Sequence, residues 1–236
     1  YMLLQAYDYL QLFTRQGVTL QIGGSDQWGN ITAGVELIRR AAGGEAHALT
    51  YPLLTTADGK KLGKTEAGAV WLDAARTSPY AFYQYWMNTD DADVGTLLRV
   101  FTLLPDGDVA AIELEHSQAP HARLAQRTLA QDVTTRVHSA HDARRARAAS
   151  AIVFDKKADP HAIADDVFEM LATDVPHARR AANALIVAEV LESAFGVSRS
   201  QGRTLVQQGG VSVNGVKLGP EITALNPADA VRGRWF

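Results

Sequence analysis

The sequence contains no cysteine, which excludes disulfide bonds and thiolate zinc sites. It has no apolar run close to the roughly 20 residues that a membrane-spanning helix needs, and no signal-peptide pattern. These absences favour a cytoplasmic protein without a membrane partner. The chain does not begin with methionine, and a helical pattern is already under way at Tyr1. We therefore expect the beginning of the protein to be missing.

An excess of positive charge is also absent, because the formal net charge of −3 gives no overall case for nucleic-acid binding. Locally, the balance of positive and negative charges differs. Between positions 121 and 147 only two acidic residues accompany six arginines, Arg123, Arg127, Arg136, Arg144, Arg145 and Arg147. Such a cluster can form a phosphate-facing patch. A solvated helix face explains the same charges equally well, so both interpretations stay open.

The chain is long enough, at 236 residues with 47% hydrophobic residues, for one large or two to three small domains. Its first part alternates helix 1–15, strand 18–22, helix 27–42 and strand 51–54, which predicts a parallel α/β layer. We expect the first strand to be buried. The apolar face of the first helix is predicted to consist of Leu3, Tyr7, Leu10 and Phe13.

The rest of the chain is predicted to be mainly helical and to end in a small mixed fold. Ser78 and Pro79 provide a helix start, and helices continue to about residue 150. Further helices are predicted at 182–195 and 199–208. The segment 211–218 has the pattern of a hairpin with an Asn-Gly turn.

A nucleotide site is suggested by the segment 20–30, in which an apolar strand ends in Gly23 and Gly24 and a helix follows. Because glycine has no Cβ atom, these two residues permit a sharp turn and the close approach of a ligand. Ser25 or Asp26 can cap the helix that follows. The free N–H groups at the start of that helix attract anions.

The segment 59–65 is a lysine-rich glycine loop, but only three residues separate its glycines, whereas four separate those of a phosphate loop. Two of its three lysines, Lys61 and Lys64, could still reach a triphosphate, whereas the alternative is an exposed basic turn. Together, the glycine turn and this loop suggest an ATP-using enzyme.

The first helix carries Tyr1, Gln5 and Asp8 on one face, by their spacing of four and three residues. Together with Gln21 they could converge on a small ligand that has an amine and a hydroxyl group. A polar outer face is the alternative.

In order and spacing, the segments 1–8, 20–30 and 61–65 resemble bacterial tyrosyl-tRNA synthetases, which are class I aminoacyl-tRNA synthetases. The last of them is similar to the Lys-Met-Ser-Lys-Ser signature of that family. The segment 197–218 resembles the S4-type RNA-binding fold. The resemblance spans nearly the whole chain, except that 155–182 resembles nothing we recognise.

The resemblance implies an α/β fold class with four parts. Residues 1–90 would be the second half of a Rossmann-like catalytic domain, and 91–154 a helical anticodon-binding domain. Residues 155–182 would be a linker that carries one helix, and 183–236 a small α+β S4-like domain.

The family also implies roles for individual residues. Asp8 would accept a hydrogen bond from the tyrosine hydroxyl and provide the selectivity for it. The tyrosine site as a whole would comprise Tyr1, Gln5, Asp8 and Gln21. The ATP site would comprise Gly23, Gly24, Asp26, Gln27, Lys61 and Lys64. Catalysis would depend on Lys61, Lys64 and Thr65. Contacts to tRNA phosphates would come from Arg199, Arg203 and Lys217.

The implied activity is that of a homodimeric tyrosine–tRNA ligase, which joins tyrosine to ATP and passes it to tRNA(Tyr). Mg²⁺ would be carried by the phosphates, without a protein-bound metal or an organic cofactor. The family's His-Ile-Gly-His-like signature would precede Tyr1, so we expect this fragment alone to be inactive. Tryptophanyl-tRNA synthetase and a non-catalytic S4-type RNA-binding protein remain alternatives, although Asp8 and the S4-like end favour tyrosine.

Overall fold

The computed structural model describes residues 1–55, 57, 64–65, 68–155, 157–183 and 185–236. The chain divides into two compact units, Tyr1–Gly63 and Lys64–Phe236. Within the described residues, no helix combines the length and the apolar character that a membrane crossing requires.

The first unit is a parallel α/β layer, as the sequence predicts. Its elements are α1 (Met2–Gln16), β1 (Leu20–Gly24), α2 (Trp28–Ala42) and β2 (His47–Tyr51), with a 3₁₀ turn at Ser25–Gln27. The strands β1 and β2 pair in parallel, with Leu20 opposite His47 and Gly24 opposite Tyr51. Gly17 ends α1 in the left-handed conformation, with φ of 70°.

The contact between α1 and α2 centres on Tyr9, which is completely buried. Its ring lies against Gly34, where a Cβ atom would come within 2.8 Å of Tyr9 Cδ1. The prediction that Leu3 and Tyr7 belong to the buried face is wrong, because they are 81% and 56% exposed. The hollow at Gly34 accepts the large Tyr9 ring, and this turns the helix so that its neighbours at positions 3 and 7 face outward.

The first strand also differs from the prediction of a buried apolar strand. Leu20 and Ile22 are 50% and 60% exposed, whereas Gln21 and Gly23 lie on the covered side. Alternation along a strand puts these two pairs on opposite faces. Gly23 suits the covered face because a Cβ there would lie 3.2 Å from both Gln27 Cβ and Ile31 Cδ1 of α2.

The second strand spans His47–Tyr51 and not 51–54. Its pairing with β1 starts at His47 and ends at Tyr51. Pro52 follows directly, and proline has no N–H group to continue a strand ladder.

The second unit is mainly helical. Its helices are α3 (Pro79–Met87), α4 (Asp91–Phe101), α5 (Asp106–Gln118), α6 (Leu124–Val137), α7 (Ala140–Phe154), α8 (Asp165–Asp174), α9 (Val187–Phe195) and α10 (Arg199–Gln207). Its strands are the pairs β3 (Lys64–Thr65) with β4 (Gly68–Ala69), and β5 (Ser212–Val213) with β6 (Val216–Lys217). The predicted start of α3 is confirmed, since Ser78 Oγ accepts a hydrogen bond from the N–H of Ala81 at 3.0 Å.

The core of the helical part forms where α3 packs against α6 and α7. Phe82, Tyr83 and Trp86 of α3 are all buried. Phe82 meets the ring of His138 edge-on at 4.9 Å, and Trp86 meets Phe101 at 5.0 Å. Aromatic pairs of this geometry favour one packing arrangement over others.

Near the C-terminus, the predicted hairpin is confirmed, with Asn214 and Gly215 at φ of 50° and 78°. The predicted helix 182–195 starts later than expected, at Val187. The backbone before it is extended, because Ile186 bridges to Ala224 and the carbonyl of Leu185 accepts from the N–H of Leu225. These pairings across a long sequence separation override the local helical pattern.

Candidate functional site

The first turns of α1 and α2 lie together at the carboxyl end of β1. The 3₁₀ turn connects β1 directly to α2. Met2 Cε lies 3.9 Å from where a Cβ of Gly29 would be, and Tyr9 packs on Gly34 further along, so the two helices run in the same direction. The carboxyl end of parallel strands is where α/β folds bind ligands.

The predicted tyrosine-binding residues of α1 lie at its N-cap and in its first two turns, which begin at this end of the first unit. Tyr1 is the residue at the N-cap of α1 and is 91% exposed. Gln5 is half-buried and Asp8 is exposed. Their spacing places them on one face of α1, beside the face that packs against α2.

Gln21 lies on the covered side of β1, near Tyr9. The hydroxyl of Tyr9 donates a hydrogen bond to the carbonyl of His47 at 2.9 Å. Burial raises the pKa of Tyr9, while the nearby backbone of His47 and of Gln21 lowers it. Gln21 Oε1 is buried and accepts no hydrogen bond from the described residues. A buried acceptor without a donor is unfavourable, so a donor from a ligand would stabilise this position.

The turn after β1 holds backbone and polar side chains close together. A Cβ at Gly24 would lie 2.6 Å from Asp26 Oδ1 and 2.9 Å from Leu53 Cδ2, so a side chain there would clash. Gln27 Nε2 donates to Asp26 Oδ2 at 3.1 Å. Asn30 Nδ2 donates to Gln27 Oε1 at 3.0 Å. These bonds fix the side chain of Gln27 from both sides.

Asn30 was not among the residues expected to form the site, although its position three residues after Gln27 is the spacing of neighbours on a helix face. The expectation that Ser25 or Asp26 caps α2 is wrong. The N-cap of α2 is Gln27, and no side chain in the described part of the chain caps this helix or the preceding 3₁₀ turn. The N–H group of Trp28, the first residue of α2, instead donates to the carbonyl of Ser25, so the 3₁₀ turn itself leads into the helix.

Of the predicted catalytic residues, Lys61 lies outside the described residues. Lys64 and Thr65 form β3, in which Lys64 pairs with Ala69 and Thr65 with Gly68. Their predicted roles stay predictions.

The three predicted RNA contacts lie in the C-terminal part of the second unit. Arg199 forms ion pairs with Glu189 at 2.9 Å and Glu192 at 2.8 Å, and these carboxylates raise its pKa. Arg203, one turn further along α10, is exposed. The side chain of Lys217 lies over Gly209, because a Cβ there would be 2.3 Å from Lys217 Cε.

Comparison with known proteins shows what this chain resembles. The family described as tRNA synthetases class I (W and Y) matches residues 1–155, and the S4 domain matches 187–221. Tyrosine–tRNA ligase of Cytophaga hutchinsonii is 46% identical over 228 residues, which is 92% of this chain and 53% of that protein. Tyrosine–tRNA ligase of Anaeromyxobacter dehalogenans is 50% identical over 222 residues, again 92% and 53%.

A solved structure of a C-terminally truncated Aspergillus nidulans mitochondrial tyrosyl-tRNA synthetase matches with a TM-score of 0.56 and 31% identity, covering 65% of this chain and 44% of that one. The corresponding structure from Coccidioides posadasii matches with a TM-score of 0.53 and 34% identity, and the match covers 62% of this chain and 42% of that one. The chain thus spans about half the length of the curated relatives it matches. With its match over residues 1–155, the chain belongs to the class I tRNA synthetases of the W and Y family and carries an S4 domain.

Proposed function

We propose that the complete protein is a tyrosine–tRNA ligase. The observation that carries this proposal is its identity of 46% and 50% to tyrosine–tRNA ligases over 92% of the chain. The geometry supports it, since the first turn of α1 lies beside the start of α2, and the glycine turn joins α2 to the carboxyl end of a parallel strand pair.

In this proposal, tyrosine binds between α1 and β1. Asp8 accepts a hydrogen bond from the phenolic hydroxyl, and Tyr1 and Gln5 face the ammonium group. Gln21 Oε1, which is buried and accepts no hydrogen bond from described residues, accepts one from that ammonium group. A bound ammonium would remove the unfavourable state of this oxygen.

ATP binds at the turn after β1. Gly23 and Gly24 allow the adenosine to approach the backbone. Asp26, which lies beside Gln27, accepts a hydrogen bond from a ribose hydroxyl group. Magnesium enters with ATP, bound by the phosphates. A tyrosine carboxylate oxygen attacks the α-phosphorus, and the bond to pyrophosphate breaks. Lys61 and Lys64, with Thr65, stabilise the negative charge on the departing pyrophosphate.

The tyrosyl group then passes from the adenylate to the hydroxyl at the 3′ end of tRNA(Tyr), with release of AMP. Helical residues 91–154 and S4-like residues 183–236, joined by the linker 155–182, bind this RNA, and Arg199, Arg203 and Lys217 contact its phosphates. Residues 1–90 contribute to the catalytic domain. The protein acts as a cytoplasmic homodimer.

Amino-acid-dependent exchange of pyrophosphate into ATP by the complete protein tests the proposal. We expect exchange with tyrosine and a rate with tryptophan lower by about 10² or more, because a pocket shaped around one side chain excludes a larger one. A preference for tryptophan would assign the protein to the other branch of the family. Exchange with neither amino acid, together with RNA binding, would indicate a non-catalytic RNA-binding protein.

A further inference from the structure

The arginine cluster between positions 121 and 147 separates into two groups in the structure. Three of its members have internal partners. Arg123 donates to the carbonyl of Met87, Arg136 pairs with Asp132 at 2.7 Å, and Arg145 pairs with Asp166 at 3.0 Å. In the part of the chain that the structure describes, no hydrogen bond or ion pair is formed by the side chains of the other three, Arg127, Arg144 and Arg147.

Two of these unpaired arginines line the same groove. Arg127 of α6 and Arg147 of α7 border an open groove of about 500 Å³, together with the polar side chains of Thr128 and Gln131. Asp132 also borders it, but its carboxylate is held by Arg136 at 2.7 Å. The groove therefore has two uncompensated positive charges, and Arg144, although on α7, is not part of it.

Both arginines also lie near the buried phenol of Tyr83 on α3. Burial raises the pKa of Tyr83, and the positive charges of Arg147 and Arg127 each lower it. Both guanidinium groups are thus within electrostatic reach of one hydroxyl. Because both side chains border one groove, an anion in that groove would be attracted by two positive charges. Guanidinium groups form paired hydrogen bonds that match the oxygens of a phosphate.

We propose that the groove between α6 and α7 binds one phosphate group of an RNA backbone, with Arg127 and Arg147 as its ligands. The inference rests on the proposed function for its RNA partner. An RNA backbone suits the groove because the groove is open to solvent, so a phosphodiester can enter while both neighbouring nucleotides stay outside. Thr128 and Gln131 offer polar groups to the adjoining sugar.

The test compares binding of a tRNA(Tyr) transcript to the complete protein and to two variants, over a range of salt concentrations. For Arg127→Gln/Arg147→Gln we expect about tenfold weaker binding at low salt, the usual effect of losing a charged hydrogen-bonded contact. The plot of the logarithm of the association constant against the logarithm of the salt concentration has a negative slope. The magnitude of this slope should decrease by about 1, because one phosphate contact is lost. Arg144→Gln is the matched control and should change the affinity by less than about twofold.

A third variant separates charge from geometry. Arg127→Lys/Arg147→Lys should restore the salt slope but only part of the affinity, since an ammonium group lacks the paired donors of arginine. Thermal unfolding of all variants checks that they fold as the wild type does.

Two results would overturn the proposal. If Arg144→Gln and the double variant lost equal affinity for RNA, the arginines would attract RNA through their overall charge and not through a defined site. Unchanged RNA binding in the double variant would remove the groove from the RNA interface. If inorganic phosphate then stabilised the wild type and not the double variant against heat, the groove would be a site for free phosphate. Tyrosine-dependent exchange by the wild type is measured alongside, so that failure of the groove and failure of the ligase assignment are told apart.

Discussion

Asp8 is the residue on which the choice of amino acid depends in the proposed function. In the complete protein, we expect Asp8→Ala to lower kcat/KM for tyrosine by about 10- to 100-fold, the usual effect of losing a hydrogen bond to a charged group. The value for phenylalanine, which has no hydroxyl to recognise, should change little. Steady-state exchange with both substrates measures this. Equal losses for the two would contradict the role of Asp8.

Lys64 is the predicted catalytic residue for which a close control exists. Lys64→Ala in the complete protein should reduce tyrosine-dependent exchange by about 10² or more, because it removes one cation from the developing pyrophosphate charge. Lys60→Ala removes a lysine of the same loop that has no predicted role, and the rate should fall by less than about threefold. An unchanged rate for Lys64→Ala would refute the proposed role of that lysine.

At the scale of single residues, the sequence predicted which residues share a helix face and where the chain turns, but not how each side chain is held. The glycine turn and the common face of Tyr1, Gln5 and Asp8 follow from spacing alone. The unsatisfied oxygen of Gln21 does not, because it depends on how Tyr9 fills the space between α1 and the strands. Tertiary packing of that kind leaves no local pattern.

Among the elements, the α1–α2 pair shows why helices were easier to predict than their buried faces. Both helices were expected within one or two residues of their observed ends. The buried face was missed because Gly34 on α2, and not hydrophobicity on α1, selects Tyr9 as the central residue. A single sequence does not show which glycine accepts which side chain.

This packing predicts opposite effects for two glycines of α2. Gly34→Ala should lower the free energy of unfolding by about 1–3 kcal/mol, because its Cβ would lie 2.8 Å from the completely buried Tyr9 ring. At Gly29 the nearest atom to a Cβ is 3.9 Å away, so Gly29→Ala should be neutral or raise stability by up to about 1 kcal/mol through helix propensity. Urea unfolding followed by circular dichroism measures both. Similar losses at the two positions would contradict the proposed packing.

At the scale of the whole molecule, the C-terminal end is connected to the region that we predicted as a linker. The linker helix is observed as α8, Asp165–Asp174. The ring of Trp235 stacks on Phe168 of α8 with centroids 5.5 Å apart, and Arg234 pairs with Glu169 at 3.0 Å. Such contacts join residues far apart in sequence, and therefore no periodicity or motif predicts them.

The stacked pair predicts an energetic coupling between α8 and the C-terminal end. In a double-mutant cycle, Phe168→Ala and Trp235→Ala should destabilise the protein by less together than the sum of their separate effects, with a coupling of about 0.5–1.5 kcal/mol. Phe195 of α9, which is 61% exposed, provides the control, and Phe168→Ala with Phe195→Ala should be additive within about 0.5 kcal/mol. Urea unfolding of the single and double variants measures the free energies of unfolding from which the coupling is calculated. Additivity of the Phe168 and Trp235 substitutions would mean that the C-terminal end and α8 do not stabilise each other in solution.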